Sequence, residues 1–498
     1  MSKFLPAVSA CLLILAACEK NPRAYEAGES TKSYLTVQLG VASPQTKTDN
    51  AGARLDGTAA ESTVSEAVVY LVQTGKVKAI LSINSLNRIS HAGYDNGYES
   101  PVLETNVELG TYDVYAYAGS SIDPFGYHLE DNWNGATTRT FAPRAAGGVG
   151  NASNTAAEDF MFHMFSQNDA SAAGSTVPTV TLTAANNTTA NPAVAETVFL
   201  DRMTAKITSF EDASLTVNSR IKTGDFAAAT ASVKGVLPVS AAVTMHIQQQ
   251  WNDAARKQLS TPDSDRYGFV NNNFTGAVSP YADIQTSGGS YTSVAVQDLN
   301  GRIIAPGDPL YVLENAAKPT PGWGTTTGVV FKVVLDATGS GTPATFFGYN
   351  KNSEHFLTLS ALQTAYPDAF DMFGNKLGDG TDDDAANLAA AETLLAGDVA
   401  KFRAKTSISV FEDGAMYYTF FVKDNNYDCY GVFRNTWYQL MVSEITNFGD
   451  DIPGGWNPDD PTVNPDPDTP VEDEKLYIKV KILVNKWVAN VTTVHLGE

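Results

Sequence analysis

From Leu476 to Val484 the chain alternates strictly. Leu476, Ile478, Val480, Ile482 and Val484 fall on one face, and Tyr477, Lys479 and Lys481 fall on the other. Period-two patterning dictates a strand with one apolar face and excludes a helix, whose apolar positions recur every three to four residues. After Asn485-Lys486 a second β-prone run, Trp487 to Leu496, carries the chain almost to its end. The stretch before the strand, Asp450 to Glu474, is acidic, punctuated by prolines and free of basic residues. It cannot bury enough apolar surface to fold, and its prolines keep it extended. An amphipathic strand on a stiff acidic leash has two destinations: an edge of its own sheet, or a sheet edge of another molecule.

Length and composition narrow the rest. A chain of 498 residues with 43% hydrophobic and 10% aromatic content has material for two or three domains with sizeable cores. A net charge of −22 argues against a nucleic-acid partner, whose phosphates need a basic surface. It suits a soluble or cell-surface protein. Short β-prone runs recur about every dozen residues between turn signals, which predicts an antiparallel sandwich class.

The N-terminus gives an address. Lys3 precedes an apolar stretch to Leu15 that is too short to span a bilayer, so residues 1–17 read as a signal peptide. Leu15-Ala16-Ala17-Cys18 matches a bacterial lipobox, with Cys18 as the acylated residue; an ordinary cleaved signal is the alternative. Cys11 would leave with the signal, and Cys429 alone would remain besides Cys18, so no disulfide inside a domain is available. Cys429 reads as a structural thiol in a strand.

Leu35, Val37, Leu39 and Val41 then alternate on one face of a first strand. A polar loop from Ala42 to Thr63 follows, with Arg54 and Leu55 among small and polar neighbours, where proteases find access. Strand signals come at Glu66–Val72, Val77–Ile83, Val102–Leu109, Gly110–Gly119, Asp159–Phe165 and Pro178–Ala184. The polar break from Ala185 to Pro192 predicts a domain boundary, and Thr197–Ile207 predicts the opening strand of a second domain. Thr244 to Lys257 reads as a short helix, and Thr327–Leu335 with Ala344–Tyr349 as a hairpin. A longer helix over Asp382–Lys405 has acidic residues at its start and basic ones at its end, as the helix dipole prefers. Strands over Met416–Val422, Tyr427–Phe433 and Trp437–Ile445 close the domain.

Chemistry is sparse, and no catalytic, cofactor-binding or metal-ligating set is expected. Gly339-Ser340-Gly341 has part of a dinucleotide-loop spacing, but Pro343 and Thr345-Phe346-Phe347 predict a hairpin where that motif needs a helix. His163 and His246 sit among apolar neighbours and read as packed, and Glu354-His355 lacks a second ligand at metal spacing. Asp379 to Asp384 lacks the spacing of a calcium loop and reads as a helix cap. The aromatic loop from Tyr127 to Trp133 could stack on sugar or fill its own core.

Several stretches together carry a resemblance. Leu15 to Cys18, Gly110 to Tyr115, Phe199 to Ile207, Gly431 to Leu440 with Ile445 to Gly449, and Tyr477 to Val488 resemble, in order, the motifs of Bacteroidetes fimbrillins. These are the lipoprotein-derived subunits of type V pili, and the likeness is strongest to the minor-fimbrium shaft branch. The resemblance implies two transthyretin-like antiparallel β-sandwich domains with a short helical insertion and a C-terminal donor strand, at 55–190, 197–449 and 476–498, the leash occupying 450–475. It implies no enzyme. It implies a propeptide, 18–54, removed by an Arg-specific protease at Arg54–Leu55; Arg23 lies before the first strand, so a cut there would not open its groove. The removed strand would be Leu35, Val37, Leu39 and Val41. The donor would be Leu476, Ile478, Val480, Ile482 and Val484, or the run from Trp487. Implied partners are further copies of the chain, tip and anchor subunits, and receptors on host or bacterial surfaces. The membrane is touched only through the precursor's lipid at the outer membrane. A surface glycan-binding lipoprotein, or a lipidated anchor or tip subunit, are the alternatives.

Overall fold

A computed structural model describes residues 32–41, 54–56, 61, 63–91, 94–134, 138–140, 163–166, 177–239, 244–246, 248, 303–318, 327–350, 353–424, 429–453 and 478–488. The signal peptide with Cys18 and Arg23, most of the acidic leash, and Leu476 lie outside the described residues. The chain is mainly β, in sandwich-like layers with a small helical insertion. Among the described residues no helix is long and apolar enough to cross a membrane.

The first sheet is built around Gly110–Ala118, whose alternating Tyr112, Val114 and Ala116 are buried. Its strands run in the order Lys76–Ile83, Ala67–Gln73, Gly110–Ala118, Met164–Ser166, Val198–Arg202, Gln38–Val41, Tyr94–Glu99, Asn87–His91. Below it lies a three-stranded sheet of Ala193–Val194, Ser33–Thr36 and Leu103–Thr105. One apolar core sits between the two and includes Leu35, Leu39, Val69, Leu71, Val114, Val180 and Leu200.

A second core gathers Ile207, Val312, Phe331, Val333, Tyr438, Leu440 and Ile478. One of its sheets orders Leu310–Leu313, Thr204–Val217, Thr436–Ile445, Ile478–Val488 and Arg54–Asp56; another orders Thr230–Val239, Gly328–Asp336 and Ala415–Phe421. Most pairings are antiparallel, but Thr204–Val217 runs parallel to Thr436–Ile445.

Several sequence expectations change. The polar break at 185–192 does not end the first sheet: Ala193–Val194 and Val198–Arg202 still pair within the first pair of sheets. The chain crosses into the second sheet at Met203, between Arg202 and Thr204. The tertiary partners of an apolar run decide its sheet, and a polar loop before it does not. Gly328–Asp336 and Phe346–Tyr349 are not a hairpin, because they pair in different sheets. Thr244–His246 is a strand paired with Thr138–Thr140, and apart from a bend at Gln248 the rest of that expected helix is outside the described residues. The Val102–Leu109 strand shortens to Leu103–Thr105.

The helical insertion follows local rules. Asp383 caps Asp384–Gly397 by accepting from the Ala386 amide at 3.0 Å. The expected single helix breaks after Gly397, and Asp398 caps a second, Val399–Thr406. Arg403 on that helix donates to Asp451 at 2.6 Å, which also accepts from the Val410 amide at 2.8 Å. This tie fixes the first residues of the leash. Beside it, Asp450 exchanges both backbone hydrogen bonds with Tyr417, at 2.9 and 3.0 Å. Burial, and then the neighbouring Asp451, push the Asp450 carboxyl from 3.8 up to about 7. A raised carboxyl favours the fold fully below its unfolded value and loses that contribution as pH climbs from about 4 through 7. Asp450→Asn should therefore raise the Tm above pH 7 and leave it nearly unchanged at pH 4. Equal shifts at both pH values in thermal unfolding would contradict this.

Candidate functional site

The first strand is the least ordinary element of the fold. It occupies two sheets in succession. Ser33–Thr36 lies between Ala193–Val194, parallel, and Leu103–Thr105, antiparallel. Gln38–Val41 lies between Val198–Arg202, parallel, and Tyr94–Glu99, antiparallel. At the crossover the Val37 amide donates to the Ser100 hydroxyl at 2.9 Å, and the Ser100 amide returns a bond to the Val37 carbonyl at 3.0 Å. The expected alternation holds: Leu35, Val37 and Leu39 are fully buried and Val41 is 1% exposed. An N-terminal strand that is central in both sheets, with four aliphatic side chains in the core, makes its own departure a hole and not a frayed edge.

Arg54 was expected in an exposed loop. Its backbone instead forms a short strand, Arg54–Asp56, parallel to Lys486–Val488 at the edge of the second sheet. The C-terminal strand Ile478–Val488 is continuous through Asn485-Lys486, so the first expected run and the start of the second, Trp487-Val488, share one element; residues 489–496 lie outside the described residues. It pairs antiparallel with Thr436–Ile445, from Ile445↔Ile478 to Thr436↔Lys486. In the isolated chain this strand thus lies against its own sheet, with Ile478 in the core.

Between the two cores lies a buried polar junction that sequence reasoning did not assemble. Arg202 is fully buried where Val198–Arg202 ends. Its Nε donates to the Glu61 carbonyl at 2.7 Å and an Nη donates to Asn435 Oδ1 at 3.0 Å. Asn435 Nδ2 donates in turn to Asp201 at 2.9 Å. Glu61 Oε1 accepts from Lys206 Nζ at 2.8 Å and from the Tyr311 hydroxyl at 2.5 Å. Lys206 also sits 3.7 Å over the Trp437 ring. A second buried pair joins Arg434 to Glu314 at 2.8 Å.

Burial lowers the Arg202 guanidinium to about 10 while Glu61 and Asp201 oppose it, so it stays charged at neutral pH. Burial likewise lowers Lys206, against the pull of Glu61, and raises the Tyr311 hydroxyl. Two motifs singled out in the sequence, Phe199 to Ile207 and Gly431 to Leu440, meet here, because the parallel ladder sets Lys206 beside Trp437 and Ile207 beside Tyr438. The one available signal was that Arg202 follows the β-prone Val198-Phe199-Leu200, and it was not read as buried. Nothing in the sequence said that the partner would be Glu61.

Other expected positions are quieter. The rings of Phe125, Tyr127 and Trp133 pack on Tyr70, Tyr115 and Phe165, with Trp133 stacked on Tyr115 at 4.3 Å, so this aromatic loop fills its own core. His163 is buried against Tyr117. His355 stacks on Phe448, and burial lowers it to about 4. Asp379 accepts from Thr381, and Asp382 pairs with Lys376. The side chains of His246 and Cys429, and those of Val480, Ile482, Val484 and Trp487, lie outside the described residues.

Asn435 holds a left-handed backbone, φ 57°, while bridging Arg202 and Asp201. Asn435→Ala should destabilise by about 2–4 kcal/mol, from unsatisfied buried groups plus backbone strain. Asn435→Gly should lose about 1 kcal/mol less, since glycine accepts that conformation. Urea unfolding measures both, and equal losses would remove the strain from the account.

Residues 409–493 match the family model described as major fimbrial subunit protein type IV, fimbrillin, C-terminal. No curated protein matches the chain. Among solved structures it is similar to a candidate cell adhesion protein from Parabacteroides distasonis, at 12% identity and a TM-score of 0.43, over 92% of this chain and 99% of that one. It is also similar to a fimbrilin from Porphyromonas gingivalis, at 15% identity and 0.39, over 92% and 98%. A tip fimbrial protein from the same organism, with a C-terminal truncation, gives 12% and 0.30, over 92% and 100%. The matched segment holds Thr436–Ile445 and Ile478–Val488, so the C-terminal part of this chain is similar to a fimbrillin C-terminal region.

Proposed function

We propose that the chain is a structural subunit of a bacterial fimbrial shaft, made as an outer-membrane lipoprotein acylated at Cys18. An Arg-specific protease cuts Arg54–Leu55, and the first strand leaves. The groove it vacates accepts the C-terminal strand of the next copy, by donor-strand exchange. The observation that supports this most is the first strand itself, central in two sheets with four aliphatic side chains at 0–1% exposure. Its loss would uncover surface worth roughly 6–12 kcal/mol if refilled by similar side chains, before ordering costs. Ile478, Val480, Ile482 and Val484 repeat the spacing of Leu35, Val37, Leu39 and Val41. Tip and anchor subunits, and receptors on host or bacterial surfaces, would complete the partner set.

The acidic leash favours a shaft over an anchor, because it gives the strand the reach to leave its own sheet. A glycan-binding lipoprotein is less favoured, because the aromatic loop that would stack on sugar is committed to packing on the first sheet.

The N-terminal sequence of protein sheared from its native cells should begin at Leu55. A chain that keeps lipidated Cys18 and its first strand would instead be an anchor or a retained surface lipoprotein. Replacing Ile478, Val480 and Ile482 together by Asp should leave a folded, cleavable monomer that adds to no fibre. Normal fibres from that variant in electron micrographs would reject the donor assignment.

A further inference from the structure

Glu61 differs from the other members of the buried junction. Arg202, Lys206, Tyr311 and Asn435 lie on strands of the two sheets or beside their ends, whereas Glu61 is drawn in from the segment that follows Arg54. It is 1% exposed, and it is held in two ways at once. Its backbone carbonyl accepts from Arg202, and its carboxylate accepts from Lys206 and Tyr311. A buried ammonium and a hydroxyl on one carboxylate oxygen select an anion, with a buried guanidinium held on the same residue's carbonyl; a neutral or basic side chain there would leave Lys206 short of charge. Resting on the reading that the chain is cut after Arg54, we propose that Lys206 and Tyr311 form a buried receptor for the Glu61 carboxylate, with Arg202 holding its carbonyl, that anchors the new N-terminal segment once the first strand has left.

The receptor divides the chain into a part that can go and a part that stays. Upstream, the first strand is held by aliphatic burial and ladder bonds, which a replacement strand can supply equally well. Downstream, Ala67–Gln73 is paired on both sides, with Lys76–Ile83 and Gly110–Ala118, and forms a wall of the emptied core. An anchored Glu61 keeps the new end from peeling that wall. The residues ahead of it, Leu55 to Ala60, offer one large aliphatic side chain followed by small and polar ones, so the anchored end cannot refill the groove.

The test uses the full chain as wild type, Glu61→Gln and Glu61→Ala. Each is digested with an Arg-specific endoprotease and then with a broad-specificity aminopeptidase, and the remaining N-terminus is read by intact mass. Trimming of the wild type should halt at or before Glu61. In both variants it should run on towards Ala67 at least tenfold faster. Glu61→Gln is nearly isosteric and guards against an Ala variant that fails to fold, with circular dichroism of the uncut chains as the check. Trimming that halts at the same residue, at the same rate, in all three would overturn the receptor. If no chain begins at Leu55, the cleavage reading is what fails. The receptor is then read in the uncut chain, where deuterium uptake over residues 55–66 should rise at least tenfold in Glu61→Gln; unchanged uptake would overturn it.

Discussion

A guanidinium with no solvent exposure sets the terms for this fold. Arg202 ends a strand of the first sheet, and within two residues the chain has entered the second. An unmatched buried cation costs several kcal/mol, so the fold is complete only when its partners are in place. Those partners come from distant parts of the chain: the Glu61 carbonyl, and Asn435 backed by Asp201. Satisfying them brings the end of one sheet against the start of Thr436–Ile445 in the other. The Arg434–Glu314 pair repeats the device one residue away from Asn435. Such pairs add little net stability, but a misplaced one is strongly penalised, and that penalty fixes how the two cores meet.

The same arrangement gives the N-terminal region two unequal attachments. The first strand contributes aliphatic side chains and backbone bonds, interactions that are generic and can be supplied by any strand of the right period. Glu61 contributes a charge in a matched site, which is specific to this chain. A segment attached first generically and then specifically can exchange its upstream part while its downstream part remains. The acidic leash repeats the contrast at the other terminus: Arg403 and Asp451 fix its start, and a strand lies just after it.

Much of this was legible in the sequence where local rules suffice. Alternation located the first and last strands. The glycine-bounded run from Gly110 to Gly119 located the middle strand of the first sheet. The cluster of aspartates at 382–384 located a helix start, with Asp383 as the actual cap. What stayed hidden was set by partners far away. Gly328–Asp336 and Phe346–Tyr349 are neighbours in sequence but pair in different sheets, and no local pattern encodes that choice. The polar break at 185–192 looked like a boundary because polarity signals a loop, yet the first sheet still needed Val198–Arg202 to cover its core. Arg202 and Arg434 lie in motifs singled out in the sequence, but their burial was not read there. Which groups answered them depended on the fold: the Glu61 carbonyl and Asn435 for Arg202, the Glu314 carboxylate for Arg434.

The geometry of the first strand also bears on what could replace it. In both of its sheets it has one parallel and one antiparallel neighbour. A strand entering in either direction therefore meets the same mix of ladders, so backbone hydrogen bonding does not dictate its polarity. The pockets would, since their order is Leu, Val, Leu, Val along Leu35 to Val41, and the proposed donor, Ile, Val, Ile, Val from Ile478 to Val484, keeps large and small in step at that register in the same direction. Reversed, each β-branched valine would meet a pocket shaped for leucine, and each isoleucine a pocket shaped for valine, combining cavities with overpacking. The crossover adds a further demand, because the replacement must turn between sheets where Ser100 waits to bond both backbone groups of Val37. Side-chain volume and that single turn, more than the number of hydrogen bonds, are what would make one strand a better occupant than another.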